Sequence, residues 1–100
     1  MAIERAWARV TAGASPSIIG GRRAASVARN GPGDYTVTWD EEFVADGTNY
    51  GVRAGLVDTA NNQNHIDAVA VTDTTTRVRT NANGVAVDVN FCVEVFQASS

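Results

Sequence analysis

Residues 85–96 read VAVDVNFCVEVF. Odd positions are Val85, Val87, Val89, Phe91, Val93 and Val95; even positions are Ala86, Asp88, Asn90, Cys92, Glu94 and Phe96. A period of two places alternate side chains on opposite faces of a strand, whereas a helix would scatter them around its circumference. The segment is therefore read as one long strand with a single buried face. Phe96 interrupts the polar face, which marks that end as a surface for another chain.

The same period recurs upstream. In DYTVTWD, Tyr35, Val37 and Trp39 share one face and Thr36, Thr38 and Asp40 the other. β-Branched and aromatic side chains suit such a pleated, half-buried surface. The preceding RRAASVARN supplies a partner strand, with Ala25 and Val27 on one face. Asn30-Gly31-Pro32-Gly33 closes the pair as a four-residue hairpin loop, since glycine supplies positive φ and proline is kept out of the ladder.

Further strands are expected in RAWARV, in NYGVRAGLVD (Tyr50, Val52, Ala54 and Leu56 on one face), in HIDAVAVTD and in TTTRVRTN. AGASPS, with Ile18, Ile19 and Gly20-Gly21, reads as an irregular connection. Thr59–Asn64 reads as a polar loop, and Thr80–Gly84 as a turn into the last strand. About six to eight short strands, with turn signals roughly every ten residues, describe an all-β fold: an antiparallel β-sandwich in one domain spanning residues 1–100.

Composition narrows the functional classes. Apolar residues make up 44 % of the 100 residues, but alanine buries little area, so the core leans on Val, Leu, Ile, Phe and Trp. A thin core of this kind gains from association with copies of itself or with a partner. The net charge is −3, and all eight cations are arginines, spread along the chain among eleven acids. A phosphate-tracking protein shows a dense basic face, so nucleic acid is set aside. No stretch approaches the roughly 20 apolar residues that span a bilayer, and MAIERAWARV lacks a signal-peptide core, so the expectation is synthesis in a bacterial cytoplasm without a signal peptide and no membrane partner. The single Cys92 excludes an internal disulfide; a buried thiol is expected, and pairing between chains is the alternative.

Catalytic chemistry finds little support. His65 stands alone, with no spacing that sets a nucleophile, a base and an orienting group together. Asp58, Asn61, Asn62, Asn64 and Asp67 offer oxygen ligands, but the alternating acids, mid-loop glycine and terminal glutamate of a calcium loop are missing. Glu41 and Glu42 are adjacent, whereas glycoside hydrolysis needs two carboxyls facing each other across a cleft. Trp7, Trp39 and Tyr50 are expected to fill the core rather than to form a sugar-stacking platform. The expectation is a non-enzymatic protein with no cofactor and no metal.

Three stretches together resemble a known family. They are AWARV (Ala6 to Val10), ASVARNGPGDYTVTW (Ala25 to Trp39) and NYGVRAG (Asn49 to Gly55). Their order resembles a small β-domain of bacteriophage and prophage tail-fibre and spike proteins. That domain typically shows an Ala-Trp-x-x-Phe start, a GTGDYTVNF-type hairpin and a later Asn-Tyr-Ala-Val. VEVF, Val93 to Phe96, fits its terminal strand. Here Trp39 and Val10 stand where phenylalanine is usual.

The resemblance implies a structural component of a phage-like particle, a gene transfer agent included: a spike or fibre piece or its base, serving attachment to the particle, to host-surface polysaccharide, or both. Because this chain begins at a methionine and holds only the module, a stand-alone virion component is expected. It implies no catalytic residues. The expected partners are copies of the chain, a trimer foremost, and capsid, spike or tail proteins. Loops carry recognition, so Asn30, Asn61, Asn62 and Asn64 are the candidate sugar contacts, and Cys92 and Phe96 the candidate interface with a copy or partner. The alternatives are a scaffolding or head-decoration protein that never meets the host, and a small carbohydrate-binding module.

Overall fold

Residues 2–40, 50–56, 64–72, 74–82 and 84–99 are described by a computed structural model, with the backbone alone at 2–4, 64 and 97–99. Nine strands occur among them and no helix: β1 (Ala2–Thr11), β2 (Ser17–Arg22), β3 (Ala24–Gly31), β4 (Asp34–Trp39), β5 (Gly51–Leu56), β6 (Asn64–Ala70), β7 (Thr75–Ala82), β8 (Val85–Ala86) and β9 (Phe91–Ser99). All ladders are antiparallel. One sheet, A, has the order β2-β1-β9-β5; the other, B, has β3-β4-β7-β6, with β8 also paired to β7. The two sheets pack face to face as a β-sandwich.

The alternation in sequence places the core. β1 turns Ala6, Ala8 and Val10 inward, and β9 turns Phe91, Val93 and Val95 inward, all fully buried. Opposite them, sheet B contributes Tyr35, Val37, Trp39 and Val78. The Tyr35 and Phe91 rings meet across the sandwich with centroids 5.4 Å apart and a tilt of 51°. Small alanines on β1 leave room for these larger side chains, as a close-packed interior requires. Two hydroxyls are buried with them: Thr76 accepts the indole N–H of Trp39 at 2.9 Å, and Thr80 donates to the Val87 carbonyl at 2.5 Å. Tyr50, just before β5, carries its hydroxyl to the Thr72 and Thr75 carbonyls, 2.8 and 2.7 Å away, and so ties sheet A to the β6–β7 turn of sheet B.

Several expectations are corrected. VAVDVNFCVEVF is two strands, not one. β8 belongs to sheet B, β9 to sheet A, and residues 87–90 cross between them. Val85 therefore lies outside the buried row and is 66 % exposed, while Val89, Phe91, Val93 and Val95 are buried. Ser17–Arg22 is an edge strand rather than an irregular connection. Only Arg23, at φ 60°, separates β2 from β3, so the chain turns from one sheet to the other at a single residue. A bulge between Ala24 and Ser26 shifts the register of β3: Ala24 and Val27 face the core, and Ala25 is exposed. The hairpin loop is shorter than expected, since Gly31 pairs with Asp34 and only Pro32 and Gly33 turn.

Candidate functional site

Two surfaces concentrate chemistry. The first is the outer face of sheet A. Because Ala6, Ala8 and Val10 point inward, Arg5, Trp7 and Arg9 point outward. Register then assembles three rows across the sheet. Arg5 stands opposite Phe96, which stands opposite Gly51; Trp7 lies between Arg22 and Glu94, which stands opposite Arg53; Arg9 stands opposite Cys92, which stands opposite Gly55.

Trp7 is 38 % exposed, so the expectation of a core tryptophan is wrong for this residue and right for Trp39. The glycines in these rows have a purpose. The distal edge of the Trp7 indole reaches over β2, where a Cβ on Gly20 would touch it at 3.7 Å. The Phe96 ring occupies the place where a Cβ of Gly51 would stand. Arg53 caps the Phe96 ring, its guanidinium carbon 5.5 Å from the centroid, an attractive cation–π arrangement. Ile19, the extra residue of a bulge in β2, is 61 % exposed at the rim. Cys92 is half-buried rather than buried, in a shallow depression of about 330 Å³ that it lines with Arg53, Ala54, Gly55 and Glu94.

The second surface is the end of the sandwich where the hairpins turn. Asp88 organises it. Its Oδ1 accepts from the Gly33 amide at 2.9 Å and the Tyr35 hydroxyl at 2.6 Å, and Arg29 grips both carboxylate oxygens at 3.2 and 3.0 Å. The Arg29 guanidinium, then the Tyr35 hydroxyl, then the Gly33 amide hold the Asp88 pKa down at about 2. Burial, followed by the neighbouring Asp88 carboxylate, pushes the Tyr35 phenol up. The same hydroxyl accepts from Gly13, and Asn90 accepts from Ala12, so the segment after β1 is pinned to the crossing at 87–90. A carboxylate with this many donors, ionised at neutral pH, is a fastener; it has little basicity left for proton transfer.

Beside this knot lies a cleft of about 290 Å³ between the β3–β4 and β7–β8 turns, lined by Pro32, Gly33, Asp34, Arg79, Thr80, Asn81, Gly84 and Ala86. Asp34 is engaged on its floor by Arg77, with Nη2 to Oδ2 at 2.5 Å, and this pairing lowers the Asp34 pKa.

Of the residues singled out by sequence, Asn30 lies in β3 and donates to Thr36 at 2.8 Å and to Asp34 at 3.4 Å, so its amide is already used. Asn64 opens β6, and Asn61 and Asn62 fall outside the described residues, as do Glu41, Glu42 and Asp58. Phe96 and Cys92 do share one face. His65 is exposed on the edge strand β6. Among the described residues no three His, Cys, Asp or Glu side chains converge. Sequence reasoning put Trp7 in the core and did not group it with Arg5 and Arg9, although Arg5-Ala6-Trp7-Ala8-Arg9 alternates large and small with a period of two. It also placed Asp88 on a plain solvent face.

Comparison with known families, curated proteins and solved structures returned no match. The likeness to phage fibre domains rests on the quoted motifs.

Proposed function

We propose that this protein is a non-enzymatic structural component of a phage-like particle, a spike or fibre piece or its base, that works by docking. The observation that carries the docking reading is the outer face of sheet A, where Trp7, Ile19 and Phe96 stand among arginines on a surface with no strand or loop of this chain described over it. Aromatic residues and arginine are the side chains in which protein interfaces are enriched. The particle setting comes from the resemblance in ASVARNGPGDYTVTW and its flanking motifs. Copies assemble as a ring, a trimer foremost, in which each contact joins two different surfaces. Immunogold labelling of purified particles tests the reading: label at head vertices or tail tip is expected, and particles that carry none overturn it.

A second reading has its own observation. The 290 Å³ cleft sets Arg79 and Asn81 beside the Pro32–Gly33 turn and is open to a sugar of a host-surface polysaccharide. Binding on a glycan array that disappears in an Arg79→Ala, Asn81→Ala double variant supports it. An empty array leaves scaffolding or decoration as the role.

A further inference from the structure

We propose that the outer face of sheet A docks an acidic protein surface, one that presents carboxylates around an aromatic or aliphatic centre. This deepens the docking reading above and rests on it. The fold sorts charge in a way the linear sequence conceals. Arg5, Arg9, Arg22 and Arg53, half of the chain's eight arginines, stand on this one face. Of the eleven acids, Glu94 alone has a described side chain there. A chain of net charge −3 thus carries a cationic face, and the rest of the molecule is the more acidic for it.

That distribution selects the occupant. A symmetric pair of copies meeting through this face would set arginines against arginines, because a two-fold interface places the same patch on both sides; the ring proposed above joins its copies through other surfaces and leaves this face outward. Like charges brought together in a desolvated contact are repulsive. A nucleic-acid duplex would need a continuous cationic track, and here Trp7 and Phe96 interrupt the rows; a single strand would stack successive bases on free rings, and Arg53 already covers Phe96. A polysaccharide would stack along a row of free ring faces, but Arg53 already covers Phe96 and leaves Trp7 as a single ring. A protein surface meets all the terms. Carboxylates bind the planar guanidinium forks in bidentate fashion, and an apolar side chain seats on Trp7 and in the depression at Cys92.

The test uses a random copolymer of glutamate and tyrosine as the probe, titrated into the whole protein while tryptophan fluorescence is followed. Binding is expected to change the signal of exposed Trp7, to vanish from the signal in Trp7→Phe, where buried Trp39 remains, and to weaken as salt screens the arginines. An Arg9→Gln, Arg53→Gln variant is expected to bind about tenfold more weakly. A Ser26→Glu, Val69→Glu variant matches its net charge on the exposed outer side of sheet B and is expected to bind as the parent does. Far-UV circular dichroism confirms that each variant folds. Absence of binding, or equal loss in the charge-matched variant, overturns the proposal. So does tighter binding of a polyuronate through the same arginines, which makes the partner a polysaccharide. Self-association broken by Arg9→Gln, Arg53→Gln overturns it too, in favour of a second copy. Particle labelling reads out separately: label without copolymer binding removes this proposal only, and copolymer binding without label removes only the particle setting.

Discussion

Asp88 is the residue on which one end of the sandwich is fastened. Its carboxylate pKa, about 2, lies below the ordinary 3.8 because the ionised form receives Arg29, Tyr35 and the Gly33 amide. A group whose folded pKa is depressed contributes stability above its unfolded pKa and loses it as pH falls through the folded value. The contribution of Asp88 is therefore full above about pH 4 and disappears toward pH 2. Asp88→Asn is expected to lower stability at pH 7 by about 1 kcal/mol, a modest figure because the pair is partly solvated. It is also expected to flatten the stability curve between pH 4 and 2, as urea melts across that range will report. An unchanged acid slope would mean that the knot is ornamental. The alternation rule placed Asp88 on a solvent face because it sees only the parity of a position, and the partners here come from residues 29, 33 and 35, far along the chain.

At the scale of elements, the β3–β4 turn decides how closely the hairpins approach. Gly33 has φ 61°, and a Cβ there would overlap backbone atoms of Thr80 and Val87. Gly13, at φ 133°, faces open space. Gly33→Ala is expected to cost about 3 kcal/mol from combined backbone strain and overpacking, and Gly13→Ala only the strain, about 1 kcal/mol. Thermal melts of the two variants rank them, and equal losses would show that the approach of the turn to β7 does not matter. Much at this scale was legible. GDYTVTW announced β4 and its buried face, and NYGVRAGL announced β5, because a strand covered on one side must alternate. The crossing at 87–90 was not legible. A chain that leaves one sheet and joins another can keep its period of two unbroken, so VAVDVNFCVEVF looks continuous. β2 escaped for the opposite reason: SIIGGR on a sheet edge has glycines where an alternating strand would show side chains.

Among the described residues, the two sheets share a core, two polar links, the Asp88 knot and Tyr50, and the single-residue chain corner at Arg23. They should melt together. Fluorescence of Trp39 in a Trp7→Phe variant, reporting the packed centre, and far-UV circular dichroism, reporting both ladders, are expected to give coincident denaturant midpoints. Separated midpoints would mean that the sheets unfold independently. The sandwich was readable from periodicity, but the cationic face was not. Arg5, Arg9, Arg22 and Arg53 are scattered along the sequence, and only the registers of β1 with β2 and of β5 and β1 with β9 draw them together. Nucleic acid was set aside because the arginines are dispersed along the sequence. Folding gathers four of them on a single face, with the rings of Trp7 and Phe96 between them.

The pairing of β1 with β9 runs from Ala2 opposite Ser99 to Val10 opposite Phe91, with the Asp88 knot at the far end. Its direction gives the domain a mechanical polarity. Tension applied between residues 2 and 99 loads the first pair alone and peels the ladder one rung at a time. Tension applied between residue 2 and the hairpin turns runs along the strands and loads every rung at once. A tether drawn toward the turns would hold under forces that open the same molecule like a zipper when its two neighbouring ends are pulled apart.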